Sequence, residues 1–220
     1  MNLDRYHAIL SELSPSGARL VAVSKTKPVS DIQLLYDLGQ RIFGENKVQE
    51  LTDKHQALPQ DIDWHLIGHL QSNKVKYIAP FVGMIHAVDS LKLLEEINRQ
   101  AEKYNRIIPC LLQVHIAQEE TKFGMDAGEI EALLLSSSYL SMHHIEIHGL
   151  MGMATNTDDE AQVDKEFKGL KDLFDRLKAE HFSGKEYFRQ LSMGMSSDYH
   201  IAIRHGATLV RIGSEIFGSR

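Results

Sequence analysis

The chain has 220 residues, 43% of them apolar, and its 24 basic and 30 acidic side chains leave a formal charge of −6. A mildly acidic chain without a basic run is a poor match to nucleic acid or to an anionic membrane surface, and the single cysteine, Cys110, excludes an internal disulfide and a cysteine-built zinc site. No run is apolar for long enough to span a bilayer and residues 1–6 carry no apolar leader core, so the expectation is a cytoplasmic protein with one sizeable core.

A helical pattern over residues 3–13 opens the chain. Residues 20–24 form an apolar, β-branched run of the kind that is buried on both faces of a parallel sheet. That run leads straight into Lys25; Pro28 closes the segment, and Ser30 is placed to cap a helical pattern over 31–38. Further strand patterns lie at 41–44, 64–68, 84–88, 110–116, 145–151, 187–192 and 208–212. Between them fall helical patterns at 47–57, 73–78, 91–103, 128–135, 159–178 and 198–203. Strands alternating with helices imply a parallel sheet with right-handed crossovers, and eight strands in this length predict a single α/β domain over residues 1–220, a compact (β/α)8 TIM-type barrel. The competing open, doubly wound sheet would carry a Gly-rich G-x-G-x-x-G turn after its first strand, and none follows Ser24. Residues 117–126 and 156–160 read as surface loops or helix starts. Little chain follows the eighth strand, so the N-terminal helix is expected to cover the barrel wall beside it.

Chemistry in such barrels gathers at the C-terminal ends of the strands. Taken in order, those ends give Lys25, Glu45-Asn46, His69, Asp89-Ser90, His115, Gly152-Met153, the segment 192–198, and Arg211-Ile-Gly-Ser214. Lys25 is the sharpest of them. Desolvation at a strand end favours the neutral amine of a lysine, and a neutral amine condenses with an aldehyde; the plainer reading is a lysine reaching for solvent. Gly194, Ser196, Ser197, Gly213 and Ser214 let backbone N–H groups approach an anion, in the loops after strands seven and eight where barrel phosphate sites commonly form. Ser196 or Ser197 could also cap the helical pattern near Asp198, where an N-terminus favours phosphate; ordinary capping is the plainer alternative. A phosphorylated aldehyde held at one end by backbone amides and at the other by a lysine describes pyridoxal 5′-phosphate (PLP). Arg211 is then placed for the cofactor's pyridine nitrogen, which a guanidinium keeps unprotonated because it does not give up its own proton; a wall-to-helix salt bridge is the competing role. His65 and His69, four apart, share a strand face but sit too far apart to chelate one metal unaided, so no metal is expected.

The motifs Ala22-Val-Ser-Lys-Thr-Lys-Pro28, Phe43-Gly-Glu-Asn46, Trp64-His-Leu-Ile-Gly-His-Leu-Gln-Ser-Asn-Lys74, Lys122-Phe-Gly124, His148-Gly-Leu-Met-Gly-Met153, Leu191-Ser-Met-Gly-Met-Ser196 and Val210-Arg-Ile-Gly-Ser-Glu-Ile-Phe-Gly218 occur in this order over nearly the whole chain. With them the chain resembles the YggS/PROSC-type pyridoxal phosphate homeostasis proteins. The resemblance implies a barrel like the N-terminal domain of alanine racemase, with PLP held as an internal aldimine on Lys25. It also implies that Asn46, Ser196, Gly213 and Ser214 surround the phosphate or ring and that Arg211 meets the pyridine nitrogen. His115 departs from the pattern, standing where many relatives carry asparagine. The implied role is binding, buffering or delivery of PLP, with PLP-dependent apoenzymes as partners and a monomer or weak dimer as the assembly. A small PLP-dependent amino-acid racemase is the alternative. Two-base racemisation needs an acid/base on each face of the cofactor, and the expectation is that no second, β-rich domain supplies the other one; Tyr199 is a weak candidate for it. A phosphosugar isomerase using the same phosphate loops is a third reading, and it predicts a colourless protein.

Overall fold

A computed structural model of the chain describes residues 1–118 and 123–218. Eight parallel strands close into a barrel in sequence order, β1 (Arg19–Val23), β2 (Ile42–Glu45), β3 (Asp63–Leu66), β4 (Met84–Val88), β5 (Ile108–Val114), β6 (Ile145–Gly152), β7 (Gln190–Ser192) and β8 (Leu209–Ile212). The closing pair sets Arg19 beside Leu209 and Ala22 beside Ile212. Helices α1 (Leu3–Leu13), α2 (Val29–Asp37), α3 (Val48–Ala57), α4 (Val75–Ile78), α5 (Leu91–Lys103), α6 (Ala127–Leu135), α7 (Ser137–Leu140), α8 (Glu160–Glu180), α9 (Tyr199–Arg204) and α10 (Ser214–Phe217) surround it. The expected barrel with its N-terminal helix is what the chain forms.

Period-two alternation divides the apolar strand residues between two cores. Leu20, Ala22, Phe43, Trp64, Leu66, Leu112, Leu150 and Val210 face outward into the large cluster beneath the helices. In α8, Val163, Phe167, Leu170, Phe174 and Leu177 recur at the three- and four-residue spacing of one helix face and are buried there. Val21, Met84, Ala87, Leu111, Met151 and Leu209 form a second, smaller cluster, which is the interior of the barrel. Two irregularities break the alternation. Between Ile85 and Val88 the β4–β5 register shifts, and His86 and Ala87 both turn inward. Opposite Cys110 and Leu111, β6 inserts His148; the next residue, Gly149, has φ 150° and a Cβ there would lie 1.8 Å from the Gln190 carbonyl oxygen, so only glycine fits.

The N-terminal helix lies where expected. Tyr6, Ile9 and Leu13 of α1 are buried, the Asn2 amide donates to the Ile216 carbonyl of α10 (2.7 Å), and Arg5 is hydrogen-bonded to Glu215 and to the Tyr199 hydroxyl. Several sequence expectations are corrected. Helix α2 begins at Val29 after Pro28, so Ser30 lies inside its first turn and caps nothing. The N-cap of α9 is Asp198, neither Ser196 nor Ser197. Strand β7 keeps only the last three residues of the predicted 187–192, and Tyr187 instead stacks on His148. Of the Lys122-Phe-Gly124 motif, Lys122 lies outside the described residues.

Candidate functional site

The loops after β1, β2, β7 and β8 enclose a cleft of about 530 Å³ at the C-terminal end of the barrel. Lys25, Asn46, Ser196, Arg211, Gly213 and Ser214 all line it, with Ser197 beside them, whereas Gly194, also chosen from sequence, does not. His69, Asp89 and His115 do not join them. His69 stacks on Phe123 and pairs with Asp89 at 3.1 Å, and His115 is exposed just beyond β5. Tyr199 is turned away from the cleft: its hydroxyl donates to Glu12 and accepts from Arg5. Burial and the Glu12 hydrogen bond push that phenol up to about 12, and the side chain does not line the cleft.

Lys25 is half-buried, and among the described residues its amine meets no hydrogen-bond or ion-pair partner. Its backbone, by contrast, is tied on both sides. The Ser24 hydroxyl donates to Glu45 Oε1 (2.7 Å) and the Ser24 carbonyl accepts from Lys54 Nζ (2.8 Å). The Thr26 amide donates to Glu50 Oε2 (2.7 Å). Lys54 joins the two carboxylates, at 2.7 Å from Glu45 and 3.3 Å from Glu50. Thr26 is β-branched yet has φ 65°, a left-handed conformation that costs a non-glycine residue roughly 1–2 kcal/mol and persists only where its surroundings enforce it. The ion cluster beneath the turn is that enforcement. Glu45, placed on the rim by sequence, is instead fully buried behind it. Burial pushes its carboxyl up against the opposing hydrogen bonds from Lys54 and Ser24.

Arg211 points into the barrel mouth from β8. Nη1 donates to Ser192 Oγ (2.6 Å) and Nη2 to the Gly152 carbonyl (3.0 Å), so its two close partners are a hydroxyl and a carbonyl rather than a carboxylate. Burial, opposed by the charge of Asp198 at the start of α9, lowers the guanidinium to about 10, which leaves it charged at neutral pH. Opposite it, Ser214 and Ser196 exchange a 3.0 Å hydroxyl contact. Gly213 runs so close to β1 that a Cβ would sit 2.7 Å from the Val23 carbonyl, so the backbone itself forms the cleft wall there. The cleft therefore presents fixed cations, hydroxyls and backbone amides. That donor set fits a small phosphorylated ligand bearing a group that an amine can attack.

The family model for the alanine racemase N-terminal domain matches residues 2–220. A pyridoxal phosphate homeostasis protein of Aquifex aeolicus is 38% identical over 204 residues, covering 92% of this chain and 87% of that one. The protein of the same name from Pasteurella multocida is 38% identical over 218 residues, covering 97% and 92%. The chain belongs to the pyridoxal phosphate homeostasis protein family. A solved member, PipY of Synechococcus elongatus with PLP bound, is 35% identical, superposes with a TM-score of 0.87 and covers 98% of this chain and 99% of its own. Alanine racemase of Bartonella henselae, at 18% identity and a TM-score of 0.74, shares the fold, and this chain covers 57% of it.

Sequence reasoning missed the supports of this family's site. Glu50 and Lys54 drew no reading beyond their place in the 47–57 helical pattern, though their i,i+4 spacing is that of an ion pair. Lys27 was quoted without a role; its Nζ donates to the carbonyls of Phe217 (3.3 Å) and Gly218 (2.9 Å), fastening the segment after α10 at the cleft edge.

Proposed function

We propose that the protein binds PLP covalently through Lys25 and holds it for hand-over to PLP-dependent apoenzymes rather than for turnover of an amino acid. The observation that carries this reading is the make-up of the cleft. Lys25 and the Ser196–Gly213–Ser214 wall share it, while its described lining residues include one further amine, Lys27, and no histidine, tyrosine, cysteine or carboxylate. When bound, the cofactor would supply an aldehyde carbonyl, and Lys25 would hold it through its amine. Ser196, Ser214 and the Gly213 backbone would bind the phosphate. Arg211 is a donor that keeps its proton, so it would hold the ring nitrogen without protonating it, which would weaken the electron sink that amino-acid chemistry draws on. Racemisation also needs an acid/base on the second face, and Lys27 is engaged with two carbonyls. Among the described residues no helix is long and apolar enough to cross a membrane.

The test is a transfer assay. Protein loaded with PLP is mixed with an apoenzyme or with a small-molecule carbonyl trap, and the rates of loss are compared, alongside a chiral assay for alanine. The proposal expects faster loss to the apoenzyme and no racemisation beyond that of free PLP. Equal loss rates would remove the delivery role, and steady turnover of one enantiomer abolished by Lys25→Ala would establish the racemase instead.

A further inference from the structure

Five side chains from four strands form a continuous hydrogen-bonded file inside the barrel. Asp63 opens β3 at the end opposite the cleft, and its Oδ2 lies 3.2 Å from His65 Nε2. His65 Nδ1 lies 2.9 Å from His86 Nε2, and His86 Nδ1 lies 3.0 Å from Ser192 Oγ. Ser192 Oγ then accepts from Arg211 Nη1 at 2.6 Å. Only Asp63 reaches solvent appreciably, with its side chain 44% exposed, whereas His65 is 1% exposed and His86 and Ser192 are fully buried. Barrel interiors are ordinarily filled by branched apolar side chains, as Val21, Leu111 and Leu209 fill this one. Polar groups are costly there unless each is paired, and here each member of the file is.

The two ends of the file constrain its direction. The Asp63 carboxylate only accepts and the Arg211 guanidinium only donates. With Asp63 accepting, His65 carries its proton on Nε2. A neutral His65 then accepts at Nδ1, so His86 donates from Nε2 and accepts at Nδ1. The one donor facing that nitrogen is the Ser192 hydroxyl. Burial above all, with the Arg211 and Arg19 guanidiniums adding to it, holds His86 well below the ordinary histidine range, hence neutral.

We propose that Asp63, His65, His86 and Ser192 are positioning residues for Arg211: a one-way chain, with both imidazoles neutral and protonated on Nε2, that commits the Ser192 proton to His86 and leaves a Ser192 lone pair fixed toward the guanidinium. With the Gly152 carbonyl as second acceptor, the fork is held at two points and its remaining N–H groups are left for the cleft. The link from Arg211 to the cofactor ring rests on the function proposed above; the direction of the chain does not. The file also gives a substitution at the far end of the barrel a route to the cofactor-facing group.

The direct test is long-range ¹H–¹⁵N NMR of the histidine rings in the ligand-free protein, with the Arg211 Nε–H resonance recorded in the same samples. The wild type is expected to show the neutral Nε2–H pattern for both His65 and His86. Asp63→Ala, and independently Ser192→Ala, are expected to abolish the single-tautomer signature of His86 and to shift the Arg211 resonance. An Nδ1–H pattern at His86 in the wild type would overturn the proposed direction without any variant. An Arg211 signal unmoved in Asp63→Ala would overturn the coupling and reduce the file to core filling. In PLP-loaded protein, the same variants should shift the visible band of the bound cofactor. Failure to bind PLP with the expected NMR pattern intact would count against the proposed function alone.

Discussion

Lys25 is positioned by what surrounds its backbone rather than by what touches its amine. Its neighbours Ser24 and Thr26 are tied to Glu45, Glu50 and Lys54, and the centre of that cluster is buried, with side-chain exposures of 0% for Glu45 and 8% for Lys54. Breaking a buried pair strands a charge at a cost of roughly 3–5 kcal/mol, whereas replacing both partners is often neutral. Lys54→Met is therefore expected to lower the unfolding free energy in urea by about that amount, and Glu45→Leu/Lys54→Met to recover most of it. A double variant no more stable than Lys54→Met would show that the cluster is not acting as a pair. In both variants Lys25 should react more slowly with aldehydes, because the Ser24 carbonyl loses its Lys54 donor and Glu50, which holds the Thr26 amide, loses its ion-pair partner. Lys25 itself was legible in the sequence from its place at a strand end. The cluster was not, because Glu45 read as one more polar rim residue; only the structure shows it folded back beneath the turn.

At the scale of elements, all eight strands were read at their places in the chain, though only β1 as an apolar β-branched run, and helices with a full amphipathic face, such as α1 and α5, were read with their observed bounds. Elements too short to show a period were invisible. Helix α7 is four residues long and is set by the Ser136 side chain accepting from the Tyr139 amide, and α10 is a single turn. The bulges were equally hidden, since an inserted residue leaves hydropathy unchanged while altering which side chains point inward. Gly149 tests the β6 bulge. Gly149→Ala combines φ 150° with a 1.8 Å clash on a backbone oxygen and is expected to cost ~3 kcal/mol or more, or to prevent folding. Gly169→Ala, in the interior of α8 with nothing within 4 Å, should instead stabilise by about 0.5–1 kcal/mol. Thermal melts of the two variants should move in opposite directions. A tolerated Gly149→Ala would contradict the bulge.

For the whole molecule, closure of β1 on β8 is what makes a site. Lys25 and Arg211 are 186 positions apart in sequence and share a cleft because Val21 pairs with Arg211 across that seam. Helix α1 covers the same seam, with Ile9 fully buried. Ile9→Ala is expected to cost about 3 kcal/mol, which for a domain of this size lowers the melting temperature by about 6–12 °C. A change within 1–2 °C, on the order of a surface substitution, would mean that α1 is peripheral. The convergence of six candidate residues on one cleft was legible because barrel topology dictates where strand ends meet. The file of side chains beneath them was not, because inward and outward histidines look alike in sequence. His65 runs through the core and His69, four residues later, lies on the surface.

The central claim is that one amine among many, that of Lys25, forms the covalent link to PLP. The most direct measurement is borohydride reduction of the protein mixed with stoichiometric PLP, followed by mass mapping of every lysine-containing peptide. A pyridoxyl group on Lys25 alone, with Lys25→Ala left unlabelled and colourless, is the predicted result. Labelling spread over surface lysines, or undiminished labelling of Lys25→Ala, would contradict it.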